Sequence, residues 1–237
     1  MKKIYFLITI CILLANCTQK TEQPCDDAFI RGNNFVLNSD FENGKKEFEN
    51  SIRSHPENAN AYYGLAYTYS LEGNTTESIK YYSKAIELNK NFTLAYYGRA
   101  NIFFVNGNLK SAKADIERVI ELNDKLSSAY QLLANIESQN SNYNDALKNI
   151  DKAINLEPKN SVSYFVKGVL QGNNNDLENA VKSLSKSLKL NPNNGMAYVY
   201  RGTFKLQIND KLGACEDFHN AEKVGFKAKT YLENYCK

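Results

Sequence analysis

The feature that most constrains this chain is a period of 34 residues. Written in lines of that length from Cys25, the sequence forms six lines in one register, with no insertion or deletion. A fixed period of this size is typical of arrays of small units, each of which buries its apolar side only against its neighbours. The six repeats cover 25–58, 59–92, 93–126, 127–160, 161–194 and 195–228, and positions within a repeat are called columns 1 to 34.

Large and small residues alternate between the columns. Column 4 is tyrosine in every repeat but the first, whereas columns 8, 20 and 27 hold mostly Gly, Ala or Ser. Small residues let two helix axes approach at the low end of the usual separation of about 8–10 Å. Bulky residues at columns 4, 7 and 11, and again at 24 and 30, follow helical spacing. The pattern predicts two amphipathic helices in each repeat, at columns 1–14 and 18–31.

Column 15 marks the boundary between the two predicted helices. It holds glycine or asparagine in four repeats, namely Gly73, Gly107, Asn175 and Asn209. These residue types adopt a left-handed conformation at least cost after a helix end. Each repeat is therefore predicted to be a helical hairpin.

Segments such as AYYGLAYTYSLEGNTTESIKYYSKAIELN (61–89) resemble tetratricopeptide repeats, and the resemblance covers 25–228. It implies an all-α fold, an α-α superhelix or solenoid of six 34-residue units. We expect a C-terminal capping helix at 227–237, where apolar residues recur at helical spacing.

Columns 7 and 23 change together, which tests the hairpin without an alignment. Column 7 is arginine in three repeats, and in those repeats column 23 is acidic. A partly buried guanidinium is tolerated when it is paired and hydrogen-bonded. We therefore expect structural salt bridges between the helices of the first, third and sixth repeats. The pairs are Arg31 with Glu47, Arg99 with Asp115, and Arg201 with Asp217.

The N-terminus predicts export. Lys2 and Lys3 precede an apolar run that is too short to span a bilayer and fits a secretory signal peptide, assigned to 1–16. The sequence LLANC at 13–17 resembles the lipobox of bacterial lipoproteins, which implies cleavage before Cys17 and lipidation of its sulfur. A plainly secreted protein is the alternative.

Residues 17–24 form a polar tether that ends in Pro24. Its seven residues after Cys17 reach roughly 25 Å, so the domain stays close to the membrane. The anchor is expected to be the lipid alone. The absence of aspartate after Cys17 favours, by resemblance to enteric lipoproteins, the outer membrane of the cell envelope, with either its periplasmic or its surface side facing the domain.

The remaining cysteines differ in their expected states. Cys215 and Cys236 meet if the capping helix runs antiparallel to the last repeat's second helix, at 212–224, and a disulfide there would contribute roughly 3 kcal/mol. Two buried free thiols are the alternative. Cys25 is expected at the other end of the stack, either free or paired with another molecule.

Several functional classes find no support. Without the two signal lysines, 27 Lys and Arg stand against 26 Asp and Glu, so no basic footprint for nucleic acid is present. No metal-binding, phosphate-binding or hydrolase motif occurs, and the two histidines, His55 and His219, are far apart in sequence. We expect no enzyme activity, catalytic residue, metal or cofactor.

The resemblance also implies a concave face, lined by the first helices at columns 2, 5, 9 and 12. Rings interleaved with amides in these columns suit an extended polypeptide, because rings supply contact area and amides both donate and accept hydrogen bonds. The predicted groove residues are Phe29, Asn33, Tyr63, Tyr67, Tyr97, Asn101, Phe104, Gln131, Asn135 and Phe165. The alternative is that some of these rings only pack between neighbouring repeats.

These features favour a membrane-anchored adaptor or scaffold in the bacterial envelope that binds a segment of another protein in its groove. A lipoprotein that binds a glycan or small molecule on the aromatic groove is the alternative. A passive spacer within a larger assembly is a third hypothesis, and it predicts no ligand.

Overall fold

The computed structural model describes residues 27–237, and all regular secondary structure in that range is helical. Thirteen helices follow one another there and are labelled in chain order. They are α1 (Asp27–Leu37), α2 (Phe41–Ser54), α3 (Ala59–Leu71), α4 (Thr75–Leu88), α5 (Thr93–Val105), α6 (Leu109–Leu122), α7 (Ser127–Gln139), α8 (Tyr143–Leu156), α9 (Ser161–Asn173), α10 (Leu177–Leu190), α11 (Gly195–Gln207), α12 (Lys211–Lys223) and α13 (Lys229–Tyr235).

Helices α1 to α12 form six hairpins, one in each predicted repeat. This confirms the all-α fold of two-helix repeats. From the second repeat on, the first helix spans columns 1–13, and every second helix begins at column 17, one residue earlier than predicted. The reason is column 16, which is Asn or Asp in all six repeats and provides the helix N-cap. Asp40, Asn74 and Asp210, for example, accept a hydrogen bond from a backbone N–H in the first turn.

The hairpins form two compact units, each with three repeats. The first unit ends at Leu122, and the second begins at Asn123. Within the first unit, α2 packs on α3 and α4 on α5; within the second, α8 packs on α9 and α10 on α11. In each unit the second helix of one repeat thus packs against the first helix of the next, as stacking of repeats requires.

The turn at column 15 is left-handed in all six repeats. Gly73 and Gly107 have φ of 80° and 76°, and Asn175 and Asn209 have φ of 61° and 64°. Ser39 and Ser141 occupy the same column with φ of 64° and 61°. Serine gives no sequence signal for this conformation, so these two turns were not among the predicted ones.

The small columns lie in the core. Every residue at columns 8, 20 and 27 of the six repeats is buried. A Cβ at Gly202 would lie 2.7 Å from Phe218, and one at Gly168 would lie 2.6 Å from Leu184. The large residue at column 24 thus fills the space that the small residue at column 8 leaves, which is the predicted alternation.

The last helix covers the last repeat. Helix α13 packs on α12, and the ring of Tyr231 stacks on Phe218 with centroids 5.0 Å apart. The structure joins Cys215 and Cys236 in a disulfide, with their Cα atoms 5.6 Å apart. Lys229, where α13 begins, is column 1 of what would be a seventh line. The capping helix α13 therefore begins where the first helix of a seventh repeat would begin. It is shorter than the predicted 227–237.

Candidate functional site

We call the side chains at columns 2, 5, 9 and 12 of the first helices, together with Tyr200 in column 6, the first-helix face. Each unit has its own. In the first unit, helices α1, α3 and α5 carry the face, and α3 contacts both of the others. In the second unit, α7, α9 and α11 carry it, and α9 contacts both of the others. The ten predicted groove residues divide into seven in the first unit and three in the second.

Three of the predicted groove residues are buried, so their assignment to an open groove was wrong. Phe29 is 0% exposed and packs with Phe48, and Tyr63 is 4% exposed. Asn33 is also buried, and its amide donates to the carbonyl of Phe29 in its own helix. In the first two repeats column 5 thus points into the core.

The aromatic cluster around Tyr63 explains its burial. Its ring stacks on Tyr67 with centroids 6.3 Å apart and contacts Tyr82 and Phe92 at 5.7 and 5.2 Å. Burial away from water raises the pKa of Tyr63, Tyr67 and Tyr82 above that of a free phenol. These phenols therefore stay neutral at physiological pH and act as packing groups.

The other predicted residues of the first unit are half-buried. They are Tyr67, Tyr97, Asn101 and Phe104. The Asn101 amide donates to the carbonyl of Tyr97 at 2.8 Å, and the Ser70 hydroxyl donates to the carbonyl of Tyr67 at 2.6 Å. The polar groups of this face are thus engaged with their own helices.

The second-unit face leaves more of its side chains open to solvent or to hydrogen bonding. Gln131 donates to the Ser163 hydroxyl at 2.7 Å, which ties α7 to α9. Asn135 is half-buried, and its amide makes no hydrogen bond to any residue that the structure describes. The ring of Phe165 meets that of Tyr200 edge to face, with centroids 5.7 Å apart.

Three apolar side chains on α9 and α11 are open to solvent and were not among the predicted site residues. Val162 and Met196, both in column 2, are each 45% exposed, and Tyr200 in column 6 is 36% exposed. Column 2 was predicted to line the face, so Val162 and Met196 could have been predicted from their column. Tyr200 could not, because column 6 is glycine in the second and third repeats, where that glycine lies against a ring of the preceding repeat.

Each of the three predicted arginines pairs with its predicted carboxylate. Arg31 Nη2 lies 2.8 Å from Glu47, and this pair is largely exposed on the arginine side. Arg99 donates from Nε and Nη2 to both oxygens of Asp115, at 2.7 and 2.8 Å. Arg201 makes the same two-bonded contact with the buried Asp217, which also binds Lys205 at 3.0 Å.

Side chains in column 7 also bind residues of the preceding repeat, and these contacts were not predicted. Arg99 Nη1 donates to Ser83 at 2.8 Å, and Arg201 Nη1 donates to Ser185 at 2.9 Å. Lys167, which has no acidic partner in its own repeat, binds Asp151 at 2.7 Å. All three acceptors stand in column 25. Comparison of column 7 with column 25 of the preceding line would have revealed these ties between repeats.

The membrane-related assignments lie outside the described residues. These are the signal peptide at 1–16, the lipidation site Cys17, the tether at 17–24, and Cys25. None of the helices described from Asp27 onward is long and apolar enough to cross a bilayer. The same part of the chain contains no group of three or more His, Cys, Asp or Glu that could hold a metal ion.

Models of known protein families match the middle repeats of the chain. Two family models, both described as tetratricopeptide repeat, match residues 59–92 and then 94–126, 127–160 and 162–194, which together make up more than half of the chain. The matched segments coincide with the second to fifth repeats. No curated protein matches the chain in sequence.

Many solved structures share the fold. The crystal structure of YrrB, described as a TPR protein with an unusual peptide-binding site, is 21% identical, with a TM-score of 0.62 over 78% of this chain and 97% of that one. A tetratricopeptide repeat protein of Parabacteroides merdae is 19% identical, with a TM-score of 0.68 over 100% and 96% of the two chains. PilF of Pseudomonas aeruginosa is 12% identical, with a TM-score of 0.75 over 87% and 95%.

Proposed function

Since the chain belongs to the tetratricopeptide repeat family, a family of protein-interaction scaffolds, we propose that it is a lipid-anchored adaptor of the bacterial envelope. In this proposal the second-unit face binds an extended segment of another protein, and lipid on Cys17 holds the complex at the membrane. The proposal rests on one observation above all. Val162, Met196 and Tyr200 are exposed on α9 and α11, and the Asn135 side chain on α7 makes no hydrogen bond within the described part of the chain.

The chemistry of this face supports a polypeptide ligand. A peptide unit needs both a donor and an acceptor, and the asparagine side chain offers both. Exposed apolar side chains supply the burial that stabilises a complex, at roughly 25 cal/mol per Å². Phe165 and Tyr200 meet at an interplanar angle of 77°, so they do not form the flat platform on which a sugar ring would stack. This geometry favours a polypeptide over a glycan.

The binding proposal is tested by capture from detergent extracts of the native cells, run beside a glycan array. We expect the wild-type protein to retain a specific polypeptide, and the variant Val162→Ser/Met196→Ser/Tyr200→Ser to lose it. The matched control is Leu212→Ser, because Leu212 is 84% exposed in the same unit but lies on α12, outside the face. Retention by the triple variant, or binding to glycans alone, would contradict the proposal.

The anchoring proposal is tested separately. Mass spectrometry of the mature N-terminus should show a lipid-modified Cys17 as its first residue, and Cys17→Ser should move the protein from the membrane fraction to the soluble fraction. An unmodified Cys17 in the mature protein would remove the membrane from the proposal and leave the binding face unaffected.

A further inference from the structure

The second-unit face contains no charge available to a ligand. Its three helices α7, α9 and α11 carry four charged side chains, Glu137, Lys167, Arg201 and Lys205. Glu137 is buried and accepts from the Asn142 amide at 2.8 Å. The other three bind carboxylates of the second helices: Lys167 binds Asp151, and both Arg201 and Lys205 bind Asp217.

The side chains that remain on this face are neutral. They are Ser128, Gln131, Asn135 and Ser138 on α7, Val162, Phe165, Val169 and Gly172 on α9, and Met196, Val199, Tyr200, Thr203 and Leu206 on α11. The other charges of this unit lie on the second helices, in the connecting segments and on α13, and several of them pair along a helix surface, as Lys148 does with Asp145 and Lys229 with Glu233. Within the unit, charge and the first-helix face are thus separated.

This separation selects against charged ligands. Transfer of a charged group from water to a site without a partner is costly, whereas a neutral amide or hydroxyl needs only a hydrogen bond. A lysine or glutamate of a ligand that lay on this face would meet amides, hydroxyls and apolar groups only. Each such residue would therefore weaken binding.

The neutral groups are also unevenly distributed. On α7, Ser128, Asn135 and Ser138 make no side-chain hydrogen bond to the described residues, so their donors and acceptors are available. On α9 and α11, the exposed apolar side chains are Val162, Met196 and Tyr200. The neighbouring Val199 and Leu206 belong to the apolar cluster of the last repeat, against which Phe226 and Leu232 also pack. One end of the face is polar and the other is apolar.

We infer that the ligand of this face is an uncharged stretch of polypeptide, with amide or hydroxyl side chains against α7 and aliphatic or aromatic side chains against α9 and α11. The inference rests on the proposed function and defines its ligand class. Binding is therefore nearly independent of salt, because no ion pair forms across the interface.

The probe is a random peptide library displayed on phage, with inserts of about 12 residues, whose extended length of roughly 40 Å exceeds the width of three neighbouring helices. Selection on the oxidised wild-type domain should enrich inserts without charge that carry Ser, Asn or Gln toward one end and apolar residues toward the other. Synthetic copies should bind with affinities that change less than about twofold between roughly 0.05 and 0.5 M salt.

A charge placed on the face provides the decisive comparison. Selection on Asn135→Asp should enrich inserts with Lys or Arg, and their affinity should fall about tenfold or more over the same salt range. The matched control is Asn101→Asp, the same column in the first unit, where the wild-type amide is bonded to its own helix. Selection on this control should give the same neutral inserts as the wild-type protein.

The outcomes separate this inference from the proposed function. The wild-type protein could enrich acidic or basic inserts that Val162→Ser/Met196→Ser/Tyr200→Ser does not bind. That result would overturn the inference of a neutral ligand and would still support binding at this face. Inserts that the triple variant retains equally, or no enrichment at all, would overturn both.

Discussion

Asparagine occupies column 9 in both units, with different results. In the first unit, the Asn101 amide is bonded to its own helix through the carbonyl of Tyr97. In the second unit, Asn135 makes no side-chain bond within the described residues. Column 5 differs in the same way, since Tyr63 is buried under Tyr67, Tyr82 and Phe92 whereas Phe165 is only half-buried beside an exposed Tyr200.

The difference shows that a repeat column does not by itself decide whether a side chain contacts a ligand. Neighbouring side chains decide it. In the first unit, large rings from neighbouring helices bury Phe29 and Tyr63 of column 5, so these two residues stabilise the unit itself. In the second unit, the corresponding space is less filled, and apolar groups remain in contact with water. The buried first-unit rings therefore contribute to stability, and we place the proposed binding site on the second-unit face.

The largest expected effect comes from truncation of column 5. Tyr63→Ala should lower the free energy of unfolding by about 3–5 kcal/mol, because it removes a buried ring and leaves a cavity. Phe165→Ala should cost roughly 1–2 kcal/mol, because its ring is only partly buried. Since the chain has no tryptophan, urea unfolding is followed by circular dichroism. Equal losses would contradict the contrast between the units.

Removal of the disulfide should affect only the second unit. Cys215→Ser/Cys236→Ser should cost roughly 3 kcal/mol, because the bond closes a loop with a sequence separation of 21. Hydrogen exchange should quicken in α12 and α13, with no change in α1 to α6. Addition of a reductant should shift the wild-type unfolding midpoint and leave that of the variant in place. A reductant that shifts neither protein would show that the bond is not present in solution.

The arginine pairs test a feature that the units share. Arg99→Leu should cost about 3 kcal/mol, because Asp115 stays buried without its partner. Arg201→Leu should cost about 2 kcal/mol, because Lys205 continues to bind Asp217. Arg31→Leu should cost less than about 1 kcal/mol, because that pair is exposed. The same urea titrations measure all three, and a cost for Arg31 as large as that for Arg99 would show that burial does not set the ranking.

The smallest expected effects are at the turns. Ser39→Gly and Ser141→Gly should each stabilise by about 0.5–1 kcal/mol, since glycine adopts positive φ without the steric cost that serine bears. Gly73→Ser is the reverse control and should destabilise. Thermal unfolding measures all three. A stabilisation in only one unit would show that the turn is constrained by its surroundings as well as by its own φ.

The repeat frame and the ion pairs were accessible from the sequence because they depend on residues at fixed spacing within one chain segment. The 34-residue period places the helix ends to within two residues, and the joint change at columns 7 and 23 identifies Arg99 with Asp115 and Arg201 with Asp217. Two local signals were overlooked, the Asn or Asp cap at column 16 and the link from column 7 to column 25 of the preceding repeat.

The open face was only partly predictable. Gln131, Asn135 and Phe165, which were predicted from their columns, lie half-buried on α7 and α9. The burial of Phe29, Asn33 and Tyr63 depends on how neighbouring rings pack, which no single column records. Tyr200 was missed for a related reason, since column 6 is glycine where a ring from the preceding repeat occupies its place and is large where none does.

Because α13 begins in the frame of a seventh line, the cap is interchangeable with the start of any further hairpin. An additional 34-residue repeat inserted after residue 194 would keep the register on both sides. The last repeat would keep its capping helix and the disulfide that joins the two. The number of modules can therefore grow or shrink without a redesign of the terminus.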